Sequence, residues 1–166
     1  MYENKKRRVS IKTSKKNYWP LICLILIAAL IATALSSRTG RNWMNLFMGI
    51  FLCQFAMLKI MRPRQFASGF AMYDIIAQRI HAYGLLYPWI ELALGLAYLA
   101  AFELFAVWIL TIVVFGIGCF SVIFALKKGL NIRCPCMGTL LDVPLSTVTL
   151  AENLTMVLMA AWKLVG

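Results

Sequence analysis

Five apolar windows, each about 18 to 24 residues long and set apart by basic or turn-forming stretches, leave few folds open to this chain. They run from Trp19 to Ser36, from about Asn42 to Ile60, from about Tyr83 to Ala101, from about Glu103 to Leu126 and from about Ser146 to Val165. A helix needs roughly 20 mostly apolar residues to cross the hydrocarbon core of a bilayer. Within lipid, only a helix or a closed barrel satisfies its own backbone. Apolar residues make up 62% of the 166 residues, and mean hydropathy is +0.80. The sequence therefore predicts an all-α integral membrane protein, a five-span helical bundle with no room for a sizeable soluble domain.

Between the second and third windows, Phe66, Phe70, Tyr73, Ala77 and Ile80 recur at helical spacing, with Arg64, Gln65, Gln78 and Arg79 as their polar complement. This predicts a short amphipathic helix at the interface, between Arg62 and His81. Pro144 and Ser146 make a start for the fifth helix, since Ser caps free backbone N–H groups. The first window is long for a signal peptide, and Leu35-Ser36-Ser37 is a poor cleavage site, so a retained anchor is expected.

The net charge of +11 does not point to nucleic acid, because no nucleic-acid-binding motif accompanies it. Seven of the 17 Lys and Arg precede residue 17, and most of the others flank apolar windows. With a cytoplasmic N-terminus and five spans, the cytoplasmic side holds those seven, Lys59, Arg62, Arg64, Arg79, Lys127, Lys128 and Arg133. The outer side holds Arg38, Arg41 and Lys163, a bias of 14 to 3. Such a bias sets membrane orientation. The expected location is a bacterial inner membrane, with the C-terminus outside and the lipid bilayer as first partner.

The chemistry-bearing residues gather towards the cytoplasmic face. Cys134-Pro135-Cys136-Met137-Gly138 lies in the loop between the fourth and fifth windows. Cys53 and Gln54, Glu91, Cys119, and Glu152 and Asn153 each fall six to eight residues inside their windows. At 1.5 Å per residue that is about 10 Å below the same surface, which predicts a polar layer drawn from four helices. Intramembrane carboxylates cost several kcal/mol unless they face a partner or cavity, and Lys59 and Arg79 are the candidate partners. Cys23 reads as packing, Glu103 as a solvated helix end and His81 as an interface residue.

The Cys-x-Cys loop has three readings. As a redox pair, one thiolate attacks a disulfide and its neighbour resolves the mixed disulfide. Lys127, Lys128, Arg133 and the start of the fifth helix favour the thiolate. No cofactor is needed on this reading, and Cys134, Cys136 and Glu91 are the catalytic candidates, Glu91 as proton acceptor. As a metal site, Cys134, Cys136 and Met137 are ligands for Cu(I) or a similar soft ion. In the third reading the cysteines only order a loop. No Ser-His-Asp set, phosphate-binding glycine loop or His-Glu-x-x-His motif is present.

These residues resemble the methylamine-utilisation MauE family, within the wider DoxX-like membrane proteins. Met57-Leu58-Lys59-Ile60-Met61-Arg62-Pro63 followed by Phe66 is similar to the family's Lys-Leu/Ile turn before a short amphipathic helix. Pro88-Trp89-Ile90-Glu91 through Gly95 looks like its Pro-x-x-Glu-x-x-x-Gly helix, and Cys134 to Gly138 like its Cys-Gly-Cys-Phe-Gly loop. The resemblance covers about residues 42 to 165. It departs at Pro135 for Gly, at Glu152 for Arg, and in the extra N-terminal helix.

The resemblance implies a four-helix DoxX/MauE-like core with an added N-terminal anchor. The expected parts are a basic cytoplasmic tail over 1–18, the added helix and loop over 19–41, and the core over 42–166. It also implies thiol–disulfide redox beside a thioredoxin-like partner, in maturation of the methylamine dehydrogenase small subunit. A metal-binding partner protein belongs to the metal reading. Oxidative maturation occurs outside the cytoplasm, whereas charge counting puts Cys134 and Cys136 inside, where thiols stay reduced. That favours either a relay across the membrane through Cys53 or Cys119, or a reduced dithiolate that holds a soft metal.

Overall fold

The computed structural model describes residues 19–72, 74, 76–100, 105–127 and 145–165. Cys134, Pro135, Cys136, Met137 and Gly138 lie outside these residues, as do Glu103 and Tyr73. The described residues form six α-helices and no strand: α1 (Trp19–Thr39), α2 (Trp43–Ile60), α3 (Pro63–Phe70), α4 (His81–Leu99), α5 (Phe105–Lys127) and α6 (Leu145–Val165). Helices α1, α2, α4 and α5 are long and apolar enough to cross a membrane. Helix α6 has 21 residues, but Thr149, Glu152 and Asn153 interrupt its apolar run.

A tight turn joins α1 to α2. The Gly40 amide donates to the Ser36 carbonyl at 2.9 Å, and Gly40 holds φ at +65°. Asn42 then caps α2, its side chain accepting from the Met44 amide at 3.0 Å. A Cβ at Gly40 would meet nothing within 4 Å, so the demand for glycine is conformational. Gly40→Ala is expected to lose about 1–2 kcal/mol, the cost of left-handed backbone for an L-residue, read as a lower Tm in detergent.

Helix α1 is peripheral. It packs on α2 through Ala28 and Ala32, and only 11% of its apolar window is buried, against 56% for α2. Most of its large apolar residues, Leu26 and Leu30 among them, face outward as lipid-facing residues do. Along α2, Trp43, Phe47, Phe51 and Phe55 recur every four residues and stack at 5.2, 5.6 and 4.6 Å between ring centroids. The next residue in this row is Lys59.

Helix α2 packs mainly on α4, and α5 on α6. Two further bonds join elements at the far end of the bundle. The Arg41 guanidinium donates to the Leu99 carbonyl at 2.5 Å. The Tyr98 and Thr111 hydroxyls lie 3.0 Å apart, and Thr111 already donates to the Val107 carbonyl, so Tyr98 is the donor. At the opposite end, Phe66 and Phe70 of α3 form a second core with Tyr87 of α4 and Val122 and Ala125 of α5. The last turns of α2 and α5 and the first turns of α4 and α6 therefore share one end of the bundle.

The amphipathic segment is shorter than its periodicity suggests. Helix α3 stops at Phe70, and turns follow. The Asp74 carboxylate accepts from the amides of Ile76 and Ala77 at 3.0 and 2.9 Å, offering the backbone a local alternative to the helix. Phe66, Phe70 and Ala77 are buried as expected, but Ile80 is exposed. Helix α3 is packed onto α4, with Ala67 against Gly84.

Candidate functional site

The site begins with Lys59, one residue from the end of an otherwise apolar helix. Continuing the row of rings on α2 turns its side chain inward rather than towards water. Pro63 sets the next element: it occupies the first turn of α3, where its missing N–H costs nothing, and α3 folds back over the lysine. Lys59 is 2% exposed.

Two carboxylates meet it. The Lys59 Nζ lies 2.8 and 2.7 Å from the Glu91 Oε1 and Oε2, and 3.2 Å from the Glu152 Oε1. Glu91 is 0% and Glu152 3% exposed. The ammonium stands 5.9, 5.7 and 5.3 Å from the ring centroids of Phe55, Phe66 and Tyr87, close enough for cation–π attraction. Charges buried this deeply are tolerated only when paired and hydrogen-bonded. The cluster draws on α2, α4 and α6, and so bridges the α2–α4 and α5–α6 pairs. Lys59 is also well placed for the negative end of the α2 dipole.

The expected polar layer is only partly assembled. Glu91 and Glu152 come together, whereas Glu152 and Asn153 turn towards different neighbours. A Cβ at Gly118 of α5 would stand 2.6 Å from the Asn153 Nδ2, so glycine makes the space for that amide. Cys53 rests against Gly95 of α4, where a Cβ would lie 2.8 Å from its Sγ. Gln54 is half-buried, and its carbonyl oxygen has no hydrogen-bond partner. Cys119 is half-buried on α5, and Cys23, Cys53 and Cys119 are all free thiols. Cys134, Cys136 and Met137 lie outside the described residues, but α5 ends and α6 begins at the end of the bundle that carries Lys59.

Close contact between α2 and α4 holds Lys59 against Glu91. A Cβ at Gly95 would also stand 3.1 Å from the Gly49 carbonyl oxygen, and one at Gly49 only 2.9 Å from that of Gly95. Backbone cannot yield as a side chain does. Gly95→Leu is expected to destabilise the fold by about 1–3 kcal/mol through overpacking. Gly116→Ala, where a Cβ meets nothing within 4 Å, should leave the Tm unchanged or raise it. Thermal unfolding in detergent compares the two.

Of the two candidate partners for the carboxylates, Lys59 is the one that meets them, while its cage of rings was not expected from the sequence. The available signal was a lysine four residues beyond Phe55 in a row of aromatics, with apolar neighbours on both sides. No curated protein and no solved structure matches the chain. The model of the family described as methylamine utilisation protein MauE matches residues 38–166, from the end of α1 to the end of the sequence. With well over half of its length matched, this chain belongs to the MauE family of membrane proteins associated with methylamine utilisation.

Proposed function

We propose that this protein is a membrane thiol–disulfide redox protein supporting disulfide formation or maturation of an exported partner, with Cys134 and Cys136 as the exchanging pair. The observation that carries this reading is the buried Lys59–Glu91–Glu152 cluster at the end of the bundle where α5 stops and α6 starts. Those two helices flank the segment that bears both thiols. In the reaction, one thiolate attacks the partner's disulfide, a new S–S bond forms, and the partner's thiolate leaves. The second cysteine then attacks the mixed disulfide, so the protein's dithiol is oxidised and the partner's disulfide reduced. Run in reverse, the same steps oxidise a partner, and a thioredoxin-like protein is the matching source or sink of electrons. Glu91 is the proton acceptor in this scheme.

On this reading α6 is the fifth span, with Glu152 neutralised by Lys59 instead of facing lipid, in a bacterial inner membrane with the N-terminus cytoplasmic and the C-terminus outside. Removing the buried Lys59 from the charge count leaves a bias of 13 to 3, so the orientation argument survives. Helix α1 is an added anchor, and α2, α4, α5 and α6 form the DoxX-like core.

Mixed-disulfide capture tests the proposal. With Cys23, Cys53 and Cys119 changed to Ser, Cys136→Ser or Cys134→Ser should accumulate a reductant-sensitive covalent complex with a partner protein in non-reducing gels. If neither variant traps one, the exchange reading fails. The Cys-Pro-Cys-Met sequence also suits a second reading, a Cu(I) or similar soft-ion site on Cys134, Cys136 and Met137. That reading predicts about one ion per reduced chain, lost with either cysteine, and it fails if a Cys-free variant binds Cu(I) as tightly.

A further inference from the structure

The charges of the buried cluster do not balance if all three groups are ionised. Lys59 supplies one positive charge and Glu91 and Glu152 two negative ones, all at 3% exposure or less. An uncompensated charge inside a membrane costs several kcal/mol. Both carboxylates converge on the one ammonium, Glu91 at 2.7 and 2.8 Å and Glu152 at 3.2 Å, so one cation faces two acids. One proton on the carboxylate pair removes the excess charge.

A separate observation gives that proton a route. Thr149 lies three residues before Glu152 on α6, on the same helical face and one turn nearer the segment that carries Cys134 and Cys136. It is 8% exposed, and its hydroxyl has no hydrogen-bond partner among the described residues. Helical side chains lean towards the N-terminus, so Glu152 leans towards the turn that carries Thr149. A hydroxyl donates and accepts at once, as a proton relay must. Among the described residues, the Cys53 thiol on α2 and Tyr87 on α4 also face the cluster, and α3 contributes the Phe66 ring.

We infer that Glu91 and Glu152 form a proton-holding site that carries one exchangeable proton beneath Lys59, with Thr149 as its relay towards the start of α6. Resting on the thiol-exchange reading, the site serves as a proton reservoir. The partner's leaving thiolate takes the proton, becoming a thiol and leaving two carboxylates around Lys59. When the second cysteine ionises for its attack, its proton reloads the pair. Protons balance over the cycle, and the two electrons pass through sulfur alone.

Infrared spectroscopy of the full chain in lipid nanodiscs tests the site without any thiol activity. The wild type should show the C=O stretch of a protonated carboxylic acid, shifting in D2O. Glu91→Gln and Glu152→Gln should each abolish it, because the remaining carboxylate then pairs with Lys59 as the anion. Lys59→Met should keep or strengthen it, since two carboxyls without a cation both stay protonated. Thr149→Val should keep the band and slow its D2O shift, and Thr149→Ser should restore the rate. Absence of the band from the wild type, or its survival in both Gln variants as from another buried acid such as Asp74, overturns the site. An unchanged shift rate in Thr149→Val overturns the relay. Failure of the thiol-exchange reading would appear instead in mixed-disulfide capture and would leave these bands as they are.

Discussion

Replacing Lys59 with Met is expected to cost about 3–5 kcal/mol of stability, the range for removing one partner of a buried ion pair. The variant leaves Glu91 and Glu152 at 0% and 3% exposure with no cation between them. It also removes the charge facing the Phe55, Phe66 and Tyr87 rings. Glu91→Gln should be milder, because Lys59 retains Glu152 at 3.2 Å and the amide retains the shape of the carboxyl. Replacing all three by Met should recover most of the loss, since apolar residues of similar volume commonly match or exceed a buried ion pair in stability. Denaturant titration in detergent, followed by helical circular dichroism, ranks the variants. A loss below about 1 kcal/mol for Lys59→Met would be the behaviour of a solvated surface pair, and would contradict the buried cluster.

The second large effect is on function. Changing either Cys134 or Cys136 to Ser is expected to abolish thiol exchange, and the double variant should be no worse than either single one. Residues that act as one unit lose activity together. A hydroxyl neither attacks a disulfide at neutral pH nor leaves as a thiolate does. Cys53→Ser and Cys119→Ser provide the contrast. Each thiol is half-buried in a helix, with Cys53 packed against Gly95, so neither change should stop exchange unless that thiol relays electrons across the membrane. The readout is the redox state of the partner protein in cells carrying each variant. Full function in the double variant would exclude the dithiol.

The long helices were legible because hydropathy acts along the chain. The windows at Trp19, Asn42, Tyr83, Glu103 and Ser146 come close to the observed helices. What depth alone could not give was azimuth. Residue counting places Glu91, Glu152, Asn153, Cys53 and Cys119 at one level, but Glu152 and Asn153 are neighbours about 100° apart on a helix of 3.6 residues per turn. One therefore meets Lys59 and the other Gly118. The pairing of Lys59 with the carboxylates was legible, but its burial under rings was not, because a lysine near a helix end usually reaches water. Here the fold-back of α3 at Pro63, a tertiary event, roofs it with Phe66. The truncated amphipathic helix has a local cause in the Asp74 carboxylate, which outcompetes a periodic apolar pattern.

Acid-trapped thiol labelling in intact cells tests the central claim most directly. With Cys23, Cys53 and Cys119 changed to Ser, a membrane-impermeant maleimide reports on Cys134 and Cys136 with and without permeabilisation and reductant. The account predicts a pool of chains labelled only after reduction, with permeabilisation also required for a cytoplasmic loop. Both thiols free and labelled without reductant in every condition would contradict a dithiol that cycles through a disulfide.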